Sequence, residues 1–316
     1  MKASVFQALA DAARHDERVA LGIIADAKGS SPQKVGAKAV FYPDGRIVGT
    51  LGGGCLEAEV QRRAINALRN GQPESFDLLL DHDFGWDDGL ICGGKVCGLI
   101  LPEIAGVGAD FWQRLASREK QVDWGIGADY SIQVIEESGE PGEGWRYREA
   151  VVPPCVLWIA GAGHIARAVA PLALQLDFRV TVFDDRPALT SHEFFPGETG
   201  LKSDIWERLL RENLPEVPAF ALIVTRGHRH DALVLRQWIH RSFAFLGMIG
   251  SHRKARLIFD QFLAEKLATE ADLARVACPV GIPIQSQTVD EIAISIMAQY
   301  IEKRAELVKK MKASHA

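Results

Sequence analysis

The sequence predicts an α/β protein, an N-terminal α/β domain followed by a domain built on a doubly wound parallel sheet. Three observations carry this. In the second half, short apolar runs alternate with stretches at helical spacing, the pattern of strand–helix units sharing one parallel sheet. One unit, VLWIAGAGHIARAVA at 156–170, ends its apolar run in Gly161, Ala162 and Gly163, with Ala166 completing G-x-G-x-x-G/A, so the second domain is expected to be Rossmann-like. The length, 316 residues, is enough for two domains with separate cores.

The opening MKASVFQALADAARHDERVA reads as an amphipathic helix. VALGIIADA follows as a strand, and AKAVFYPDGRIVGTL as a hairpin turning at Pro43, Asp44 and Gly45. EAEVQRRAINALRN is a helix stopped by Gly71, and ESFDLLL and KVCGLILPEI are further strands of open topology. The stretch EESGEPGEGWRYREAVVPP, 136–154, is rich in Gly, Pro and charge and reads as a boundary between domains at 1–140 and 150–316. Beyond it CVLWIAG, RVTVFDD, AFALIVTRG and FAFLGMIG read as strands, with HIARAVAPLALQLDF and HDALVLRQWIHRS as helices. CPVGIPI is expected to be a last short strand. TVDEIAISIMAQYIEKRAELVKK is the closing helix, begun by a capping box of Thr288 and Glu291.

The composition, 47% hydrophobic and 24% charged, is that of an ordinary globular chain. No stretch approaches ~18 uninterrupted apolar residues, so no membrane helix is expected. The N-terminus lacks the apolar core of a signal peptide, which points to a cytoplasmic protein. Five scattered cysteines, an odd number, read as reduced thiols rather than a disulfide framework. A net charge of −5 argues against nucleic acid as a partner. Yet between Thr225 and Arg256 seven Lys or Arg and four His accompany a single acid, Asp231. Such a patch on an acidic protein fits a compact anionic ligand; a solvated helix face is the alternative. No Cys or third His accompanies His228 and His230 at ligand spacing, so no metal site is expected.

The candidate binding residues cluster at strand ends. Gly161 permits the tight turn, Gly163 lets a phosphate approach the backbone, and His164 opens a helix whose first N–H groups favour an anion. Asp184 ends the next strand where an acid usually holds ribose hydroxyls, and Arg186 beside it can meet an extra phosphate; helix capping is the alternative for the acid. VTRGHRHD places Arg226 and His228 after a third strand, and GMIGSHRK places Gly250, Ser251, Arg253 and Lys254 after a fourth. Ligands of open α/β sheets bind outside the carboxyl ends of the strands, so these turns are expected to form one site. In the first half, Gly52 to Gly54 lead into Cys55, and Cys92 precedes Gly93 and Gly94. N–H groups in such turns stabilise a thiolate. A small thiol in tight packing is the alternative. Cys97, inside a strand pattern, reads as core.

GSSP, DGRIVGTLGGGCLE, CGGKV, AGAGHIARAVAPLALQLDFRVTVFDDR, TRGHRHD, GMIGSHRK and VGIPIQSQTVDEIAISIMA resemble, in this order, the signatures of the xanthine dehydrogenase accessory (XdhC/CoxI-type) family over nearly the whole chain. Two departures are His252, where members often carry Arg, and CPVGIPI, where an Ile-Gly-Leu version is commoner. The resemblance implies a chaperone rather than a turnover enzyme. It would bind molybdenum cofactor, either molybdopterin or its cytosine or guanine dinucleotide form. It would assist sulfuration of that cofactor and its insertion into a molybdenum hydroxylase of the xanthine dehydrogenase, aldehyde oxidase or carbon monoxide dehydrogenase type. The implied partners are a cysteine desulfurase-type sulfur donor, a second copy in a homodimer and the client subunit of the molybdenum hydroxylase. Cys55 and Cys92 are then the candidates for sulfur handling. An NAD(P)-dependent oxidoreductase is the alternative use of the same glycine-rich turn.

Overall fold

The structure, a computed structural model, describes residues 2–29, 33–80, 94–102, 104, 107–135 and 144–313. The chain divides into two compact units, Met1–Pro153 and Pro154–Ala316.

The first unit runs α1 (Lys2–Arg14), β1 (Ala20–Lys28), β2 (Lys38–Phe41), β3 (Ile47–Gly49), α2 (Gly54–Asn70), β4 (Glu74–Leu80), β5 (Gly94–Leu101), α3 (Ala109–Ser117), β6 (Val122–Gly127), β7 (Ile132–Val134) and β8 (Trp145–Val151). Five strands form one sheet in the order β3-β2-β1-β5-β4, and every neighbouring pair is antiparallel. Strand alternation splits the core between the two faces. Leu21 and Ile23 of β1 join Val5, Phe6 and Leu9 of α1, while Ala20 and Ile24 join Leu56, Val60 and Ala64 of α2. The buried positions of α2 recur every three or four residues, which turns one stripe of this helix to the sheet. Gly71 closes it in a left-handed conformation, φ 69°, as its position after the last apolar residue implied.

The sequence pattern missed α3 and the three-stranded antiparallel sheet β7-β6-β8. They extend the α1 core with Trp112, Leu115, Trp124, Ile126 and Tyr147. In β8 the buried residues are Tyr147 and Val151 among charged neighbours, so the stretch 136–154 has the composition of a linker while containing a strand. The division between the units falls at its end.

The second unit runs β9 (Val156–Ala160), α4 (His164–Gln175), β10 (Arg179–Asp184), β11 (Gly200–Ser203), α5 (Trp206–Leu209), β12 (Ala219–Ile223), α6 (His228–Trp238), β13 (Phe245–Met248), α7 (His252–Ala264), α8 (Glu270–Leu273), β14 (Val276–Ala277) and α9 (Val289–Ala313). Its six strands are parallel, in the order β11-β10-β9-β12-β13-β14. The central strands β9 and β12 are buried on both faces, which explains their unbroken apolar runs. Trp158, Ala221 and Ile223 pack with α6 and α7, while Leu157, Ile159, Phe220 and Leu222 pack with α4 and α9. The chain winds from β9 to β11, then returns to β12 and winds the other way. The strand order therefore reverses between β9 and β12, the place where such sheets open a crevice.

CPVGIPI is not a strand: the last strand is the preceding Val276–Ala277. Pro279 and Pro283 have no N–H to give a ladder, and Val280 N alone donates back to Met248 O at 3.1 Å. The capping box of α9 forms as expected, with Thr288 N donating to Glu291 Oε2 at 3.0 Å and Glu291 N to Thr288 Oγ1 at 3.2 Å.

Candidate functional site

The turn after β9 is wedged between its two neighbours. Gly161 has φ +113°, and a Cβ there would lie 2.4 Å from Val224 O. Its N–H donates to Phe183 O at 2.7 Å. Gly163 caps α4 with no side chain over the helix end, and a Cβ there would meet nothing within 4 Å. Gly227 caps α6 in the same manner, again with open space above it. Two helix N-termini thus flank the crevice with first-turn N–H groups that no side-chain cap takes up. His164 and His228 are their exposed first residues. Ser251 caps α7, its Oγ accepting from Lys254 N at 3.3 Å.

Asp184 lies at the end of β10 but turns inward, with 1% of its surface exposed. Its Oδ1 accepts from Arg186 N at 3.0 Å and Nε at 2.8 Å, and its Oδ2 from Ala162 N at 2.7 Å and Arg186 Nη2 at 2.9 Å. Burial opposes ionisation here, but the Arg186 guanidinium and the two backbone donors outweigh it and hold the carboxyl below its ordinary value. The acid expected at ribose hydroxyls instead fastens the glycine-rich turn to β10, and Arg186, expected at a phosphate, folds back on it. The next acid, Asp185, is gripped by Arg226 through two parallel hydrogen bonds of 3.0 and 2.8 Å. Arg226 Nη2 also lies 2.8 Å from His230 Nε2.

Asp231 is wholly buried. It accepts from Thr225 N at 3.1 Å and Thr225 Oγ1 at 2.6 Å, and it pairs with Lys254 Nζ. Lys254 Nζ donates further to Ile249 O at 3.1 Å. Lys254, expected to face the ligand, is drawn into an ion pair that locks the turns after β12 and β13 together. Gly250 lies under its alkyl chain and beside the Cys278 thiol, which burial pushes up to about 11. The sequence signal for Asp231 was present: it is the one acid among the bases of 225–256. Arg253 is exposed and its guanidinium makes no hydrogen bond or ion pair among the described residues.

The four turns expected to converge are therefore tied into one edge of the sheet by these bonds. Asp184, Arg186, Asp185, Arg226, Asp231 and Lys254 build it. Among the groups left facing outward are the N–H ends of α4 and α6, His164, His228, the Ser251 hydroxyl and Arg253. These are donors and cations, the equipment for holding an anion. Among the described residues no group of three or more His, Cys, Asp and Glu could hold a metal ion.

In the first unit Cys55 is the second residue of α2, half-buried behind Gly52, Gly53 and Gly54 at φ +118°, +74° and +59°. Glu57 braces that turn, its Oε2 accepting from Thr50 Oγ1 at 2.7 Å and Leu51 N at 2.8 Å. Cys92 and Gly93 lie outside the described residues. Cys97 is in β5 and half-buried rather than core; burial and the Asp77 carboxylate push its thiol up. Among the described residues no helix is long and apolar enough to cross a membrane.

Two family models match the chain: the XdhC and CoxI family over residues 12–82 and the XdhC Rossmann domain over residues 157–300. Similar curated proteins include the uncharacterized protein YqeB of Escherichia coli, 29% identical over 90% of this chain. This chain spans only 43% of that protein's length. A probable xanthine dehydrogenase subunit of Bacillus subtilis is 23% identical over 95% of this chain and 97% of its own. The molybdenum cofactor insertion chaperone PaoD of Escherichia coli is 23% identical over 89% of this chain and 82% of its own. Among solved structures, one titled a xanthine dehydrogenase, from Bacillus halodurans, superposes with a TM-score of 0.80 at 25% identity over 96% of both chains.

Proposed function

The chain belongs to the XdhC and CoxI family, and on that premise we propose that it is a chaperone that binds molybdenum cofactor and delivers it to a molybdenum hydroxylase. The observation that carries this reading is the outward-facing set at the switch point: two helix ends free of side-chain caps, with Arg253 unpaired beside them. The open space above Gly163 and Gly227 admits a phosphate against backbone N–H groups, which fits the phosphate end of the pterin. In this reading Gly163, His164, His228, Ser251 and Arg253 hold the cargo. Gly161, Asp184, Arg186, Arg226, Gly250 and Lys254 shape the edge that presents them. The names of the Bacillus subtilis protein and of PaoD support a role beside a molybdenum hydroxylase.

The finer parts of the proposal are sulfuration of the cofactor with Cys55 or Cys92 as the thiol concerned, a cysteine desulfurase-type donor, a homodimer and a cytoplasmic location. The experiment is to purify the client hydroxylase from a strain lacking this chain. Its molybdenum cofactor and terminal sulfido content are expected to fall while the apoprotein remains folded. A client with full cofactor content and full activity would refute the proposal.

A further inference from the structure

We infer that the Arg226–Asp185 bridge is a specificity-determining strap that closes the β10 side of the crevice, so that the site takes a compact phosphate monoester and turns away a dinucleotide. The inference rests on the reading of this edge as an anion site and adds which side of it is open.

In a sheet of this topology a dinucleotide sets its pyrophosphate at the glycine-rich turn and runs one nucleoside across the end of the neighbouring strand, whose acid accepts the ribose hydroxyls. Here that neighbour is β10, and both acids at its end are occupied. Asp184 is buried under four donors. Asp185 is held bidentately by Arg226, at 3.0 and 2.8 Å. Because β9 lies between β10 and β12, a bridge from Asp185 to Arg226 joins the ends of the strands on either side of β9, the strand that leads into the turn at 161–163. The bridge is braced from α6, where His230 Nε2 lies 2.8 Å from Arg226. On the other side the pair that joins neighbouring turns, Asp231–Lys254, is anchored on a wholly buried carboxylate. Gly227 has open space above it, and Ser251 and Arg253 are exposed at the end of β13. Anion-binding capacity is thus concentrated over β9, β12 and β13, a footprint for one phosphate and what it carries.

The test uses the full chain and two probes, inorganic phosphate by calorimetry and NADH by fluorescence. The variant is the double substitution Asp185→Ala with Arg226→Ala, which removes the strap without changing net charge. The wild type is expected to bind phosphate, more weakly after Arg253→Ala. The double variant is expected to bind NADH about tenfold or more tighter than the wild type, equivalent to ~1.4 kcal/mol. Its phosphate binding is measured alongside, and loss of phosphate by the double variant would show that the pair builds the anion site rather than straps it, which overturns the inference. NADH binding equal in wild type and double variant, with phosphate bound by both, overturns the strap alone. Absence of phosphate binding to the wild type removes the anion site itself and the strap with it.

Discussion

Arg253 stands exposed at the first turn of α7 with no partner among the described residues, and a cation so placed is available to a ligand rather than to the fold. A charge-assisted hydrogen bond contributes ~1.5–3 kcal/mol. Arg253→Ala is therefore expected to weaken cofactor retention roughly 10- to 150-fold at an unchanged melting temperature. Arg253→Lys should recover only part, because an ammonium cannot make a bidentate contact. A drop in melting temperature without loss of retention would show that Arg253 serves the fold. Asp184 is the opposite case, a buried carboxylate that only the fold uses. Asp184→Asn should destabilise by ~1–3 kcal/mol, because Arg186 and the Ala162 N–H lose a charged acceptor. The folded carboxyl titrates below its unfolded value, so its stabilisation is full above about pH 4 and drains as the pH falls through the folded value. Glu59 acts alike: Arg62 above all, against some burial and with Arg63, lowers it to about 2. Urea midpoints measured from pH 5 downward should fall for the wild type and fall less for Asp184→Asn. Parallel curves would remove Asp184 from the acid response. Among the thiols, Cys97→Ala is expected to leave the client's sulfido content intact and Cys55→Ala or Cys92→Ala to lower it; loss at Cys97 alone would reverse the assignment.

The glycine-rich turn joins β9 to α4, and its two glycines serve different masters. Gly161→Ala would drive a Cβ to 2.4 Å from Val224 O at a φ of +113°, so the variant should lose several degrees of melting temperature or fail to fold. Gly163→Ala places its Cβ in open space at φ −77°. It should fold normally and lose ligand affinity by occupying the space above the helix end. If Gly163→Ala kept full affinity, the ligand would not approach that turn. At this scale much was legible: unbroken apolar runs mark β9 and β12 because both faces of those strands are buried. Other elements were not. The strands β6, β7 and β8 are short, interrupted by glycine or charge, and gain their stability from packing against Phe6 and Trp112, which no local pattern announces. CPVGIPI has the hydrophobicity of a strand, but two prolines withhold its donors. Lys254 shows the same limit within the site. Beside Ser251 and Arg253 it reads as a phosphate ligand, yet Asp231, 23 residues earlier in sequence, draws it inward.

For the whole molecule, a dinucleotide-type turn stands beside a strand whose two acids are already paired. The acids of β10 are engaged, and the outward groups are donors and cations. Steady NADPH oxidation with a small carbonyl substrate at ordinary enzymatic rates (~1–10³ per second) is not expected, and observing it would return the chain to the oxidoreductases. The most direct measurement is the molybdopterin and molybdenum content of the full chain purified from cells that make the cofactor, with folded Arg253→Ala alongside. The expected result is a pterin chromophore with molybdenum on the wild type and a clear loss on the variant. A wild type that carries neither, or a variant that carries as much as the wild type, would contradict cofactor binding at the carboxyl edge of this sheet.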